Sequence, residues 1–203
     1  MSLTPFAEDL TLNEMEVNVR EIAIFLTSQG WSLQAIAAAC GNFQSECRMN
    51  PNNPQRPSGF PTSSTSRAGG FGLPQWTPWY DRYGTWCNDN GIAITATDEN
   101  PSGQLIPQLL YLEYECVNGW NGGRTWYPNQ GYNYTWQQFK ASTDDPAELA
   151  RAFYWQYERS GAQSPTTRPA QATYWYSFLT GTPLNPPPLW LLLKIKRNRR
   201  LYL

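Results

Sequence analysis

Ser32-Leu33-Gln34-Ala35-Ile36-Ala37-Ala38-Ala39-Cys40-Gly41-Asn42-Phe43-Gln44-Ser45-Glu46 decides how this chain is read. Leu33, Ile36, Ala37, Cys40 and Phe43 recur at helical spacing, and Ser32 is placed to cap the helix they form. Asn50-Pro51 lies beyond its end, which leaves Glu46 on or just after the last turn. A second stretch, Gly69-Gly70-Phe71-Gly72-Leu73-Pro74-Gln75-Trp76, follows after a Pro/Ser/Thr-rich segment. It sets a glycine-loosened, aromatic loop against the one glutamate of an apolar helix.

Outward from there, a mainly α chain is predicted. Thr11-Leu12-Asn13-Glu14 has capping-box spacing and opens a helix near 12–29. Residues 51–70 read as loop, Pro78 opens a third helix running to Gly91, and Pro101 a fourth through Leu105, Leu109, Leu112 and Cys116. Residues 119–134 are an Asn/Gly/Tyr loop, with a short helix after Thr135. Asp145-Pro146 begins a helix running to about Arg159, and Arg168-Pro169 another that stops before Gly181. No run alternates convincingly with period two, although residues 60–76 leave room for a small β-hairpin. Asn185-Pro186-Pro187-Pro188 ends the fold, dividing the chain into a domain over 1–182 and a tail over 183–203.

Composition excludes several chemistries. The 203 residues suffice for one sizeable domain, and they contain no histidine. Without it neither a Cys-His or Ser-His nucleophile pair nor a His-ligated zinc site can be built. No metal or organic cofactor is expected. Five of the 15 basic residues sit in the last ten positions, so residues 1–193 carry ten basic against 16 acidic groups. Such a body is a poor partner for nucleic acid. Cys40, Cys47, Cys87 and Cys116 have no C-x-x-C spacing, and buried free thiols are the preferred state. Cys40 and Cys47 stand about 10 Å apart along one helix, too far to bond each other. Residues 1–12 lack the basic start and apolar run of a signal peptide. In the tail, Leu189-Trp190-Leu191-Leu192-Leu193 runs into five cations. Docking on a partner or a disordered end is favoured there over contact of 189–200 with an anionic membrane.

Ten Trp, twelve Tyr and eight Phe exceed what a core of this size needs. The polar, ring-rich run at 120–136 suggests exposed platforms, and rings suit the flat C–H faces of sugars. A carboxyl group beside such rings is suited to glycoside cleavage, which runs on carboxylates alone.

Three blocks, taken in order, resemble the phage tail lysozyme family over roughly residues 15–180. They are Ala37–Asn42 through Glu46 and Asn50-Pro51; Gly70–Thr77 with Arg82; and Phe153–Arg159 with Arg168 and Ala172. The resemblance implies a lysozyme-like helical domain with a groove for peptidoglycan, and Glu46 as general acid. The bond cleaved would join N-acetylmuramic acid to N-acetylglucosamine, with the protein in a virion tail or in the host cytoplasm before release. The tail after residue 182 lies outside the resemblance, and docking on other phage tail proteins, rather than a disordered end, is the reading it leans towards.

Beside that resemblance, the residues carry their own expectations. Phe43, Phe71 and Trp76 are placed to exclude water from Glu46, which favours a protonated carboxyl group. Gln75 and Thr77 offer hydrogen bonds to sugar substituents, and Trp76 is either a stacking platform or a core ring. The second carboxylate is the difficulty, because no Asp or Glu lies between Cys47 and Tyr80. Asp81 and Glu158 are the candidates, with Glu158 more readily explained as a structural ion pair with Arg159 or Arg168. A single acid would serve a lytic transglycosylase giving anhydro products. A body without turnover would only grip wall glycan.

Overall fold

In the computed structural model, residues 9–53, 69–94, 104–159 and 165–181 are described. Thr11 caps α1 (Leu12–Ser28) by the expected capping box, its hydroxyl accepting from Glu14 N–H while Glu14 accepts from the Thr11 backbone. Ser32 caps α2 (Leu33–Cys47) through Ala35 N–H. Seven residues from Ala35 to Gly41 are all buried, so α2 has no solvent face along its middle. The helix after Pro78 differs from expectation. A π-helical turn, π1 (Tyr80–Gly84), precedes a short α3 (Thr85–Asp89). In α4 (Leu105–Asn118) the apolar face is as predicted, while Pro101 lies outside the described residues. Thr135 and Gln138 form a second capping box on α5 (Trp136–Ala141). Asp145 caps α6 (Pro146–Phe153), which continues as a π-helical turn, π2 (Tyr154–Glu158). The chain closes with α7 (Arg168–Gly181).

The described residues hold no extended strand. Phe71 and Trp76 pair as an isolated antiparallel bridge, the remnant of the hairpin allowed for at 60–76. Residues 54–68 and the tail 182–203, with the expectations placed on them, fall outside the described residues. All four cysteines are buried free thiols. No described helix is long and apolar enough to cross a membrane.

Helix α2 packs against both α6 and α7. Gly41 permits the closer of these approaches: a Cβ there would stand 2.6 Å from the Arg168 carbonyl oxygen and 2.8 Å from Ala172 N. Polar links register the same interface. Trp175 Nε1 donates to Gln44 Oε1 at 2.8 Å, and Ser45 Oγ to Gln171 Oε1 at 2.6 Å. On the α6 side, Asn42 Nδ2 donates to Ala150 O at 3.1 Å and Phe43 meets Phe153 edge to face.

Helix α4 joins the remaining elements through two glutamates. Glu113 accepts from Trp31 Nε1 (2.5 Å), Trp136 Nε1 (3.1 Å) and Lys140 Nζ (2.8 Å). Glu115, with no solvent exposure, accepts from Arg82 Nε (2.7 Å), Tyr111 OH (2.9 Å), Trp76 Nε1 (3.2 Å) and Tyr157 OH (2.7 Å). The Arg82 Nη2 contact at 2.6 Å completes the ion pair. Two residues apart, the carboxylates project about 200° around the helix from one another, so they serve opposite faces.

Two stability outcomes follow from this packing. Gly41→Ala forces α7 away from α2 and lowers stability by about 1–3 kcal/mol, the usual cost of overpacking. Glu115→Gln weakens the ion pair and leaves the mostly buried Arg82 short of its counter-charge. Its cost is about 3 kcal/mol, the low end for a broken buried pair because Arg82 reaches some water. Denaturant unfolding monitored by circular dichroism measures both.

Candidate active site

Glu46 sits on the last turn of α2, and the two residues that follow the helix, Arg48 and Met49, take left-handed conformations (φ 54° and 60°) and reverse the chain. The reversal is pinned by Asn18 Nδ2 on Met49 O (2.9 Å) and Asn53 Nδ2 on Cys47 O (3.1 Å). A carboxylate at a helix C-terminus opposes the helix dipole. The Arg168 guanidinium, brought in by α7, offsets this in a salt bridge to Glu46 Oε1. Both side chains keep a little exposure, 16% for Glu46 and 15% for Arg168. Arg168 also lies over the Tyr154 ring, 4.7 Å from its centre.

Glu158 ends π2. Its expected ion pair with Arg159 or Arg168 does not form. Arg159 Nη1 instead donates to Thr125 O (2.6 Å) and Gln156 O (2.9 Å), its guanidinium lying over the Tyr127 ring at 4.1 Å, and Arg168 is taken by Glu46. Glu158 Oε1 is sealed from solvent without a hydrogen-bond partner. Burial, reinforced by the negative charge of Glu46, pushes the Glu158 carboxyl well above the ordinary range, against the opposing pull of Arg168 and Arg82. The carboxyl group of this site held toward its protonated form is therefore Glu158, a partly exposed residue whose Oε1 is sealed and which lies in the electrostatic field of Glu46. Asp81, the other candidate, is exposed at the opening of π1, and its backbone oxygen accepts from Trp120 Nε1 at 3.2 Å. It is not among the main charges acting on Glu158.

The rings expected to meet sugar are mostly elsewhere. Trp76 is 1% exposed, stacked on Tyr83 at 5.1 Å and bonded through Nε1 to Glu115 and Tyr157, so it is a core ring with no face to offer. Phe71 is buried against Trp79. Gln75 adopts φ 51°, and its Nε2 donates to Asn53 O (2.8 Å) and Gly72 O (3.0 Å), which commits the amide N–H groups to the loop itself. Thr77 is exposed, with its hydroxyl on Gln75 O at 3.1 Å. Phe43 likewise belongs to the core.

In the 119–136 run the outcome divides. Trp126 and Trp136 are buried, whereas Tyr127 is 37% exposed. The same run and the end of α4 line an open cavity of about 440 Å³, with Arg124, Asn133 and Tyr134 on its wall. Neither Glu46 nor Glu158 lines it. Sequence reasoning missed this cavity and the Glu115 cluster. Both depend on partners far apart in the chain, and only the polar residues strewn through a Trp/Tyr-rich loop hinted at either.

Comparison with known proteins agrees with this arrangement of elements. Residues 17–179 match the family model described as phage tail lysozyme. Over 172 residues the chain is 34% identical to Morphogenesis protein 1 of Bacillus phage B103, an alignment covering 85% of this chain and 42% of that protein. The chain thus spans less than half the length of that relative. Mainly helical and matched over most of its length, the chain belongs to the phage tail lysozyme family.

Proposed function

We propose that this chain cleaves peptidoglycan at the glycosidic bond between N-acetylmuramic acid and N-acetylglucosamine, with Glu46 as the group that meets the scissile oxygen. The observation that carries the reading is the presence of two unlike carboxyl groups: Glu46, salt-bridged to Arg168, and Glu158, whose Oε1 has no hydrogen-bond partner and whose carboxyl is held toward its protonated form. Environments that push two carboxyl groups apart in acidity divide acid from base work between them. Glu46, partly exposed at the end of α2, is the one assigned to contact substrate.

The family and the phage relative support a role on a bacterial wall, from a virion tail during genome delivery or at lysis. Hydrolysis is the reading preferred. A Glu158 that stays neutral supplies no carboxylate to activate water, and that observation favours the lytic transglycosylase as second reading. In that reaction the sugar's own 6-hydroxyl attacks and an anhydro end forms.

Mass spectrometry of purified peptidoglycan digested with the parent and with Glu46→Gln tests this. The parent releases reducing-end muropeptides, and the variant loses about 10²–10⁴-fold in rate, the usual contribution of a general acid. Anhydro ends would replace hydrolase by transglycosylase. Absence of products from both proteins, with wall binding retained, would make the chain a glycan-gripping component.

The protonated state of Glu158 has its own thermal signature. Its carboxyl holds a proton to higher pH in the folded than in the unfolded chain, so folding is favoured fully below the ordinary glutamate value. That contribution fades as pH rises through the folded value. The parent melting temperature therefore falls from mildly acidic toward neutral pH more steeply than that of Glu158→Gln, as calorimetry across pH would record. Parallel curves would show that Glu158 ionises normally.

A further inference from the structure

The open cavity of about 440 Å³ between the end of α4 and the 119–136 run stands apart from Glu46 and Glu158. Its volume is that of a small-ligand site, for which about 300–1,000 Å³ is usual. Bonds among its own walls and to neighbouring elements hold it open. Trp126 Nε1 donates to Tyr134 O at 2.8 Å, and Gln156 Nε2 of π2 donates to the same oxygen at 2.8 Å. Thr125 Oγ1 donates to Glu115 O, and the Trp136 indole donates to Glu113. The cavity is therefore preformed, with its walls fixed to α4 and π2.

Two polar side chains on its wall hold nothing. Arg124 and Asn133 are exposed, and neither side chain makes a hydrogen bond, ion pair or ring contact among the described residues. Most other described cations are engaged: Arg82, Lys140, Arg151 and Arg168 in ion pairs, Arg159 on two carbonyls and Arg20 over the Phe178 ring. Arg48 does not line the cavity. Among the described residues no Asp or Glu lines it either, so Arg124 gives it a positive charge in a body where acids outnumber bases. Val117, Trp126, Tyr134 and Trp136 supply carbon surface around that charge.

We propose that this cavity binds the peptide stem of peptidoglycan: Arg124 pairs with a stem carboxylate, Asn133 bonds the adjoining amide, and Val117 and the rings cover its methyl groups. This rests on the wall substrate proposed above and adds a second contact, away from Glu46. A guanidinium takes a carboxylate through two parallel hydrogen bonds, and an Asn amide both donates and accepts, as a peptide group does.

One cation set in apolar wall suits a single carboxylate on a short peptide. A polyanionic wall polymer is held by a run of cations, and Arg124 has no second cation beside it on the cavity wall. A stem seated here is also anchored to π2, the turn that carries Glu158, because Arg159 Nη1 donates to Thr125 O on the cavity wall.

Isothermal titration calorimetry with a soluble disaccharide-tetrapeptide, and with the same muropeptide after its carboxyl groups are amidated, tests this on the parent, Arg124→Gln, Arg124→Lys and Asn133→Ala. The parent binds the charged form about tenfold more tightly than the amidated one. Arg124→Gln loses that preference, Arg124→Lys keeps part of it, and Asn133→Ala weakens both forms alike. In nitrogen–proton NMR the indole signals of Trp126 and Trp136 move as the muropeptide is added. Equal affinity for the two forms in the parent, or shifts confined to the surroundings of Glu46, would overturn the site. Tighter binding of a glycerol-phosphate oligomer would overturn it in favour of a polyanion. A parent that digests wall, with Arg124→Gln binding muropeptide as the parent does, removes the cavity and leaves the glycosidase reading standing. Muropeptide seated in the cavity of a parent that cuts no wall supports the stem site and removes the glycosidase reading instead.

Discussion

The carboxylate of Glu115 is the interaction on which the rest of this structure depends. It has no solvent, and each of its donors comes from a different part of the molecule: Trp76 from the glycine-rich loop, Arg82 from π1, Tyr111 from its own helix and Tyr157 from π2. A charge in such a place is tolerable only when nearly all its lone pairs are met. The loop, the turn and the helix end therefore have to arrive together. Tyr157 precedes Glu158, so this constraint also sets where the Glu158 carboxyl stands. On the opposite face of α4, Glu113 gathers Trp31, Trp136 and Lys140 in the same manner. One short helix thus ties an N-terminal segment, the central loop and the α5–α6 region through two side chains of one kind.

The second constraint is steric. Gly41 lets the first turn of α7 touch the backbone of α2, which places Arg168 at the end of the helix that carries Glu46. Glu46 stands at the unfavourable pole of its own helix dipole and gains a cation from a residue 122 positions away. Glu158 feels a like charge and has no bonded partner for Oε1. The asymmetry between two carboxyl groups of identical chemistry is produced wholly by packing.

Local signals made much of this legible in the sequence. The capping boxes at Thr11 and Thr135, the Ser32 and Asp145 caps and the breaker at Arg168-Pro169 each act within a few residues, and each starts a helix where expected. Glu46 on the last turn of α2 followed from the same arithmetic. What the sequence hid was which rings and charges face inward. Trp76 in a glycine-rich loop looks available to a sugar, yet its indole N–H is needed by a carboxylate 39 positions later. Glu158 beside Arg159 looks like a local ion pair, but the left-handed turn at Arg159 carries the guanidinium away to Thr125. Periodicity in α4 marks Leu105, Leu109 and Leu112 as inward but gives no reason to bury Glu115.

A site assembled this way has a firmly fixed frame. Glu115 saturates its donors and freezes Arg82, while Gly41 freezes the α7 backbone against α2. The guanidinium of Arg168 lies over the Tyr154 ring and pairs with Glu46, leaving its Nε without a hydrogen-bond acceptor. Electrostatic work in a water-poor cluster is most effective when the dipoles around it are preorganised and few groups must move. Here the preorganisation lies in the two α4 glutamates and the close helix contact. A fold spanning four separately capped elements is what it takes to give Glu46 and Glu158 their unlike surroundings.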